Sequence, residues 1–296
     1  MKDWIKRFHK ASIQIDVVTM QWYNKSEKNH YKRRKKGHPM NYSLIDTHCH
    51  ITCDELYSHI YEVVMNAKYH HVERMLIVCI DWKSFERAKE LKQREDIFDI
   101  AMGFHPSDLY NFKEHDYERL EQVLANDEVV ALGEIGLDYH WDTVKKEDQK
   151  KGFIRQIELA NKYEKPILIH MRDATQDTLE ILQEYAKTPF LMHCFSGSKE
   201  TAKIIMRMGG YISFAGPITF KNANGLLEVP AVCDVHKIFV ETDCPYLTPH
   251  PHRGKQNEPM YVQYTFEKVC ALLGMDEKDL SEQMKQNYQE LFHSKK

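Results

Sequence analysis

The stretch Leu44-Ile-Asp-Thr-His-Cys-His50 decides the fold prediction. It begins as a short apolar strand and ends in two histidines that one residue separates. Side chains alternate between the two faces of a strand, so imidazoles two residues apart can hold one metal ion together. Asp46 has the spacing to share their face. The stretch therefore predicts a strand whose carboxyl end carries metal ligands, provided that other strands carry ligand residues at the same end of the sheet.

Seven similar apolar, β-branched runs follow at intervals along the chain. With Leu44–Thr47 as the first, the predicted strands are Met75–Ile80, Asp99–Met102, Val129–Glu134, Ile167–His170, Phe190–His193, Tyr211–Phe214 and Ile238–Glu241. Helical patterns separate the strands at Glu55–His70, Phe85–Arg94, Lys146–Tyr163, Thr175–Ala186 and Lys199–Met208. Apolar strands that alternate with helices are typical of a parallel sheet covered on both faces.

Eight such units predict a single-domain (β/α)8 TIM-type barrel, and a doubly wound sheet is the alternative that the pattern leaves open. Two further helical patterns, Pro259–Leu273 and Lys278–Phe292, add extra C-terminal helices that complete the outer ring. The barrel occupies residues 43–296, and the 42% of apolar residues in the chain suffices for its core.

The composition limits the class of protein. The chain has no apolar run long enough to cross a membrane, and its N-terminus lacks the apolar segment of a secretory signal. The seven cysteines are odd in number and form no CxxC pair. They therefore indicate free thiols in a reducing compartment, not a disulfide framework or a zinc ribbon. We expect a cytoplasmic protein that does not associate with membranes.

Charge is distributed unevenly along the chain. Residues 1–40 hold 11 Lys+Arg against 3 Asp+Glu, and the remaining 256 residues hold 30 against 41. Residues 1–42, with the basic run Tyr31–Lys36, are thus a basic N-terminal extension. Three interpretations stay open: an arm for nucleic acid, a disordered segment, or a start assigned too early with Met40 as the true start. The acidic body speaks against binding long duplex DNA by surface charge alone. If it handles phosphodiesters, bound metal must supply much of the positive field.

Polar side chains stand where the predicted strands end. They are His48 and His50 after the first strand, Glu134 at the fourth, His170 at the fifth, His193 at the sixth and Asp243 after the eighth. In a barrel all of these ends face one pit, where the active sites of the fold lie. Each residue alone has an ordinary explanation, such as a buried histidine or a capping acid. Six together favour one shared metal site.

Six ligands, four of them imidazoles, exceed what one catalytic ion with an open position uses. We therefore expect two divalent ions. His48, His50 and Asp243 hold the first ion in this prediction, and Glu134 links it to the second, on His170 and His193. Magnesium, manganese and zinc stay open as the metal, although imidazole ligands favour zinc or manganese.

Other residues are candidates for contact with substrate. Asp243 can accept the proton of an attacking water, and His105, after the third strand, can donate to a phosphate. Arg172 and Arg253 can bind a phosphate with two hydrogen bonds, although an ion pair is an equally good explanation for Arg172. Asp138 is expected to be structural. Four aromatic residues lie in loops where they can stack on bases: Tyr139, Trp141, Phe195 and Tyr246.

The motifs also occur in an order that resembles the TatD-type deoxyribonucleases of the amidohydrolase superfamily. They are Ile45–His50, Gly103–Pro106, Gly133–Asp138, His170–Asp173, His193–Gly197, Glu241–Leu247 and Asn257–Pro259, within about Leu44 to Phe292. The resemblance implies that Glu134 bridges two ions, where many amidohydrolases use a carboxylated lysine.

The resemblance further implies cleavage of phosphodiester bonds in DNA, as a 3′→5′ exonuclease on single strands or 3′ ends, with magnesium or manganese. Glu134, Asp243 and His105 are then the catalytic residues, and a monomer is the default oligomeric state. An esterase, lactonase or aminoacyl-tRNA deacylase on the same metal site is the alternative function. A binding protein that keeps the barrel without catalysis is a second alternative.

Overall fold

The computed structural model describes residues 41–294, and the predictions for residues 1–40 lie outside this range. Eight strands form one sheet in which each strand pairs in parallel with the next along the chain. They are β1 (Leu44–Cys49), β2 (Val72–Cys79), β3 (Phe98–Met102), β4 (Ala131–Asp138), β5 (Ile167–Arg172), β6 (Phe190–Met192), β7 (Tyr211–Phe214) and β8 (Ile238–Val240). All eight predicted strands are present, with ends that shift by at most a few residues.

Hydrogen bonds between the first strand and the residues around the end of β8 bring the two edges of the sheet together. The Asp243 amide donates to the carbonyl of His48 at 2.9 Å, and the His50 amide donates to the carbonyl of Cys244 at 2.9 Å. The Thr47 hydroxyl donates to the carbonyl of Val240 at 3.1 Å. The predicted (β/α)8 barrel is confirmed, and residues near its closure carry three of the predicted ligands.

Helices surround the sheet. They are α1 (Asp54–Tyr57), α2 (Ile60–Tyr69), α3 (Trp82–Arg94), α4 (Glu114–Ala125), α5 (Lys146–Lys162), α6 (Thr175–Tyr185), α7 (Lys199–Arg207), α8 (Val262–Leu273) and α9 (Glu277–Phe292). The predicted helix Glu55–His70 is interrupted, because His59 has the non-helical angles φ −134° and ψ 34°. The predicted helix Pro259–Leu273 begins as a short 3-10 turn before α8.

The last helix covers the amino-terminal ends of the strands. Tyr288, Leu291 and Phe292 of α9 belong to the same buried apolar cluster as Ile45, the second residue of β1. The Tyr288 hydroxyl also donates to Asp99, the second residue of β3, at 2.9 Å. Helix α9 therefore covers this end of the barrel, and the candidate site lies at the opposite end, where the strands finish.

No helix within residues 41–294 combines the length and the apolar character that crossing a membrane requires. The seven cysteines all lie in this range and all are free thiols, as predicted.

Candidate metal centre

Two strand irregularities place the inner ligands. In β1, Asp46–Cys49 spans one residue more than the segment of β2 that pairs with it. In β4, Leu132–Ile135 has the same extra residue relative to β5. An extra residue in a strand bends it and redirects a side chain. His48 lies in the first irregularity and Glu134 in the second, so both depart from the simple alternation that the sequence prediction assumed.

The first group of ligand atoms lies around Nε2 of His48. That atom is 3.2 Å from His50 Nε2, 3.3 Å from Glu134 Oε2 and 3.8 Å from Asp243 Oδ1. His50 Nε2 is 3.6 Å from Glu134 Oε2 and 3.4 Å from Asp243 Oδ1. Four ligands on a tetrahedral ion with bonds of about 2.0–2.1 Å are separated by about 3.3 Å from one another. The spacing of these four atoms thus fits one ion among them.

The second group uses the other carboxylate oxygen of Glu134. Oε1 of Glu134 lies 2.8 Å from His170 Nδ1 and 2.7 Å from His193 Nε2. The two imidazole nitrogens are 3.3 Å apart. The structure therefore brings all six predicted ligands together, with Oε2 of Glu134 beside His48 and His50 and Oε1 beside His170 and His193. Within residues 41–294, four sets of closely spaced ligand atoms could hold a metal ion. Two are the cores of these groups, His48 with His50 and Glu134, and Glu134 with His170 and His193; the other two are His48 with His193 and Glu241, and His105 with Asp138 and His170.

Three of the four imidazoles have a hydrogen-bond acceptor on the nitrogen that faces away from Glu134. The pairs are His50 Nδ1 with the carbonyl of Val78 at 3.0 Å, His170 Nε2 with Asp138 Oδ2 at 3.0 Å, and His193 Nδ1 with Glu241 Oε1 at 3.2 Å. A proton held on the outer nitrogen leaves the inner nitrogen with a lone pair for a metal, and such partners orient metal-binding histidines. Asp138, for which a structural role was predicted, contacts His170 in a way that can orient its ring.

Two buried acids behave differently from the sequence prediction. Glu241 received no role, yet it is fully buried and contacts both His193 and the hydroxyl of Ser213. An acid at the end of the apolar run of β8 was the signal that could have identified it. Asp46 does not join the ligand groups. It accepts hydrogen bonds from the amide and hydroxyl of Thr242 at 2.9 and 2.5 Å, and so fixes the residue before Asp243.

The electrostatic balance of the centre favours cations. Burial raises the pKa of Glu134, but the charge of His193 and hydrogen bonds from His170 and His48 outweigh it and hold the pKa well below its usual range. Burial lowers the pKa of His193, but Glu134 and Glu241 raise it well above the usual histidine range. Burial, with the charge of His193, lowers the pKa of His48. The negative charge of these carboxylates stabilises a proton on the nearby imidazoles, and it stabilises a bound metal ion in the same way.

The three predicted substrate contacts have different positions. His105 lies at the centre, with Nε2 3.8 Å from Glu134 Oε1, and its Nδ1 accepts from the Ser107 amide at 3.2 Å. That bond leaves the proton on Nε2, which faces the ligands. The Arg172 guanidinium lies 5.6 Å from the ring centre of Trp141, and no carboxylate within residues 41–294 pairs with it. The ion-pair interpretation and the phosphate contact of Arg172 both stay predictions.

Arg253 stacks on a ring that is outside the ligand groups. Its guanidinium lies 3.7 Å from the ring centre of Phe220. Phe220 lines a cavity of about 400 Å³ together with Ser196 and Gly197, three and four residues after His193. No contact of Arg253 with any of the six ligands is present in the described part of the chain, so its predicted phosphate contact stays a prediction.

Comparison with known proteins agrees with this geometry. The sequence profile of the family described as TatD related DNase matches residues 45–293. The chain is 42% identical over 251 residues to YabD of Bacillus subtilis, an uncharacterized metal-dependent hydrolase, covering 84% of this chain and 98% of YabD. It is 35% identical over 255 residues to YcfH of Escherichia coli K12, also an uncharacterized metal-dependent hydrolase, covering 84% and 96%.

The barrel also superimposes on a solved relative. The crystal structure of YjjV, a TatD homologue from Escherichia coli K12, matches with a TM-score of 0.80 and 26% identity, over 85% of this chain and 98% of YjjV. The match of sequence and fold along the barrel leads to one conclusion: the chain belongs to the TatD family of metal-dependent hydrolases.

Proposed function

We propose that the protein binds two divalent ions and hydrolyses phosphodiester bonds of DNA, removing nucleotides from the 3′ end of single strands. The position of the Glu134 carboxylate carries the proposal. Its Oε2 faces His48 and His50, while its Oε1 faces His170 and His193. A carboxylate used on both sides suits a pair of ions. Four imidazoles suit zinc or manganese better than magnesium.

When bound by these residues, two divalent ions would supply an activated water at neutral pH and would polarise the phosphoryl oxygens of a bound ester. The residues of the chain do the remaining work. The side chain of Asp243 is 13% exposed, which leaves its carboxylate accessible from the open end of the barrel to accept the water proton. His105 presents Nε2–H beside Glu134 and can donate it to a non-bridging oxygen of the phosphate.

Arg172 is suited to the phosphate that follows in the strand. It is exposed, lies two residues after His170, and forms no ion pair with any described carboxylate. A guanidinium without a competing carboxylate can bind a phosphate with two parallel hydrogen bonds. The body of the chain is acidic, with 30 Lys+Arg against 41 Asp+Glu over its last 256 residues, so such local cations matter more than overall charge.

The test uses purified protein loaded with manganese or zinc and a single-stranded DNA oligonucleotide with a 5′ fluorescent label. We expect a ladder of products shortened step by step from the 3′ end. Asp243→Asn should abolish the ladder, and Asp279→Asn, which changes an exposed acid on α9, should leave it intact. An enzyme that spares the oligonucleotide but hydrolyses p-nitrophenyl carboxylic esters is a carbonyl-ester hydrolase, and the proposal is then wrong.

A further inference from the structure

Two of the aromatic rings that were predicted to stack on bases are exposed on loops at the open end of the barrel, which also carries the exposed Tyr110 after β3. Of the four aromatic residues predicted there, Trp141 is 53% exposed and Tyr246 is 60% exposed. Phe195 is buried, so its predicted stacking role is wrong. The Tyr139 hydroxyl donates to Asp177 at 2.5 Å, and the ammonium of Lys146 lies 4.4 Å from its ring centre. Tyr139 therefore has partners within the protein, and the other two rings face solvent.

Tyr246 lies directly beside the metal centre. Its ring centre is 6.5 Å from that of His50, with the two rings at 62°. The loop around it is held firmly, because its amide donates to the carbonyl of Asp243 at 3.0 Å. The buried side-chain amide of Asn257 also donates, through Nδ2, to the carbonyls of Thr242 and Tyr246, at 2.8 and 2.6 Å. The ring is thus exposed while its backbone is fixed next to two ligands.

Trp141 lies in the loop that follows β4, the strand that carries Asp138. Its loop begins at Asp138, which holds His170 through Oδ2 and accepts from the His140 amide through Oδ1 at 2.9 Å. The Tyr139 amide donates to the carbonyl of Arg172 at 2.9 Å, which fixes the loop against the end of β5. The Arg172 guanidinium lies 5.6 Å from the indole centre. This side of the site therefore combines a ring with a cation.

The order of the strands in the barrel places the loops of these two rings on opposite sides. Trp141 follows β4 and Tyr246 follows β8, and in a closed ring of eight strands in sequential order these two strands are opposite. The six candidate ligands lie at the same carboxyl ends of the strands from which these two loops emerge. A substrate whose phosphate reaches the ligands has one ring available on each side of that phosphate.

We propose that Trp141 and Tyr246 are a pair of stacking platforms that bind the two nucleobases on either side of the scissile phosphate. This inference rests on the proposed function. Stacking on an aromatic ring tolerates every base and requires that the base be unpaired, so the pair would select single strands. It also gives affinity without a basic surface. Each stacked base should strengthen binding by roughly tenfold or more.

The test compares intact and abasic substrates with the metal-loaded enzyme. Three oligothymidylates carry a 5′ label: one intact, one abasic at the 3′-terminal nucleotide, and one abasic at the nucleotide before it. For the wild type we expect each abasic site to raise KM about tenfold with a smaller effect on kcat. Trp141→Ala should become insensitive to one abasic position and Tyr246→Ala to the other. Trp141→Phe and Tyr246→Phe, which keep a ring, should retain the wild-type sensitivity.

Tyr69→Ala is the matched control, because this tyrosine is 57% exposed on α2, outside the loops at the open end. It should keep both sensitivities, and elemental analysis should find equal metal in all variants. Equal KM for intact and abasic substrates in the wild type overturns the stacking proposal while the nuclease function stands. The proposal is also overturned if each alanine variant loses activity by the same factor on all three substrates. A wild type that cleaves none of the three refutes the proposed function, and the platforms with it.

Discussion

Nδ1 of His193 lies 3.2 Å from Oε1 of Glu241, a carboxylate that is completely buried at the end of β8. The other nitrogen of the same ring lies 2.7 Å from Glu134. Glu241 therefore fixes both the orientation and the protonated nitrogen of His193, and it does so from a neighbouring part of the barrel. It is a positioning residue for the second ligand group, and its effect should be measurable on metal binding.

Glu241→Gln should weaken metal binding by about 10–100-fold, because loss of the carboxylate releases the preferred tautomer of His193 and removes a nearby negative charge. Competition with a fluorescent chelator measures the affinity. Glu228→Gln changes an acid that pairs with Lys199 on the surface and should not alter it. Equal affinities in the wild type and Glu241→Gln would show that His193 needs no such support.

Glu134→Ala should reduce the metal content from about two ions per chain to less than one, since each ligand group loses one of its carboxylate oxygens. Elemental analysis after dialysis gives the stoichiometry. Chelation should lower the Tm of the wild type, because bound ions stabilise the folded state, and it should hardly change the Tm of Glu134→Ala. A variant that retains two ions contradicts the bridging role.

His105→Ala should lower kcat by about 100-fold on DNA without changing the metal content, because it removes one hydrogen-bond donor to the transition state. Steady-state kinetics and elemental analysis on the same preparation separate the two effects. His236→Ala, which removes an exposed imidazole ahead of β8, is the control. Loss of metal in His105→Ala would instead assign His105 to the ligands.

Gly136→Ala should destabilise the fold by about 3 kcal/mol and reduce metal binding. Gly136 has φ +144°, and a Cβ atom there would lie 2.0 Å from the carbonyl oxygen of His170, its partner on β5. Urea unfolding measures the change. Gly225→Ala, where a Cβ atom meets nothing within 4 Å, should leave stability unchanged. Wild-type stability in Gly136→Ala would mean that the two strands separate easily at this point.

Tyr288→Phe should cost about 2 kcal/mol of stability while metal binding stays normal. The Tyr288 hydroxyl donates to the buried carboxylate of Asp99, which also contacts His293 at 3.0 Å and Arg74 at 3.4 Å. Removing one donor leaves a buried charge less well compensated, at the end of the barrel far from the ligands. Urea unfolding and the chelator assay measure the two quantities, with Tyr110→Phe, an exposed ring, as control. A drop in metal affinity would show that the two ends are coupled.

The sequence by itself determined the barrel and brought the candidate ligand residues to one end of it. Eight apolar runs separated by helices specify a parallel sheet, and parallel strands all finish at one end. Hence the ends of strands far apart in the chain, such as those at His50 and His170, could be placed in one pit without knowing any distance. Local patterning was sufficient because the position of a residue along its strand fixes the end of the barrel at which it lies.

Only the tertiary structure decided the directions, contacts and exposure of those side chains. The extra residues in β1 and β4, which set the directions of His48 and Glu134, depend on pairing between strands and leave no local pattern in the sequence. The contacts of Glu241 with His193, and of Asp138 with His170, join residues 48 and 32 positions apart. The exposure of Tyr246 and the burial of Phe195 likewise follow from packing against distant segments, because periodicity gives the face of an element and not its neighbours.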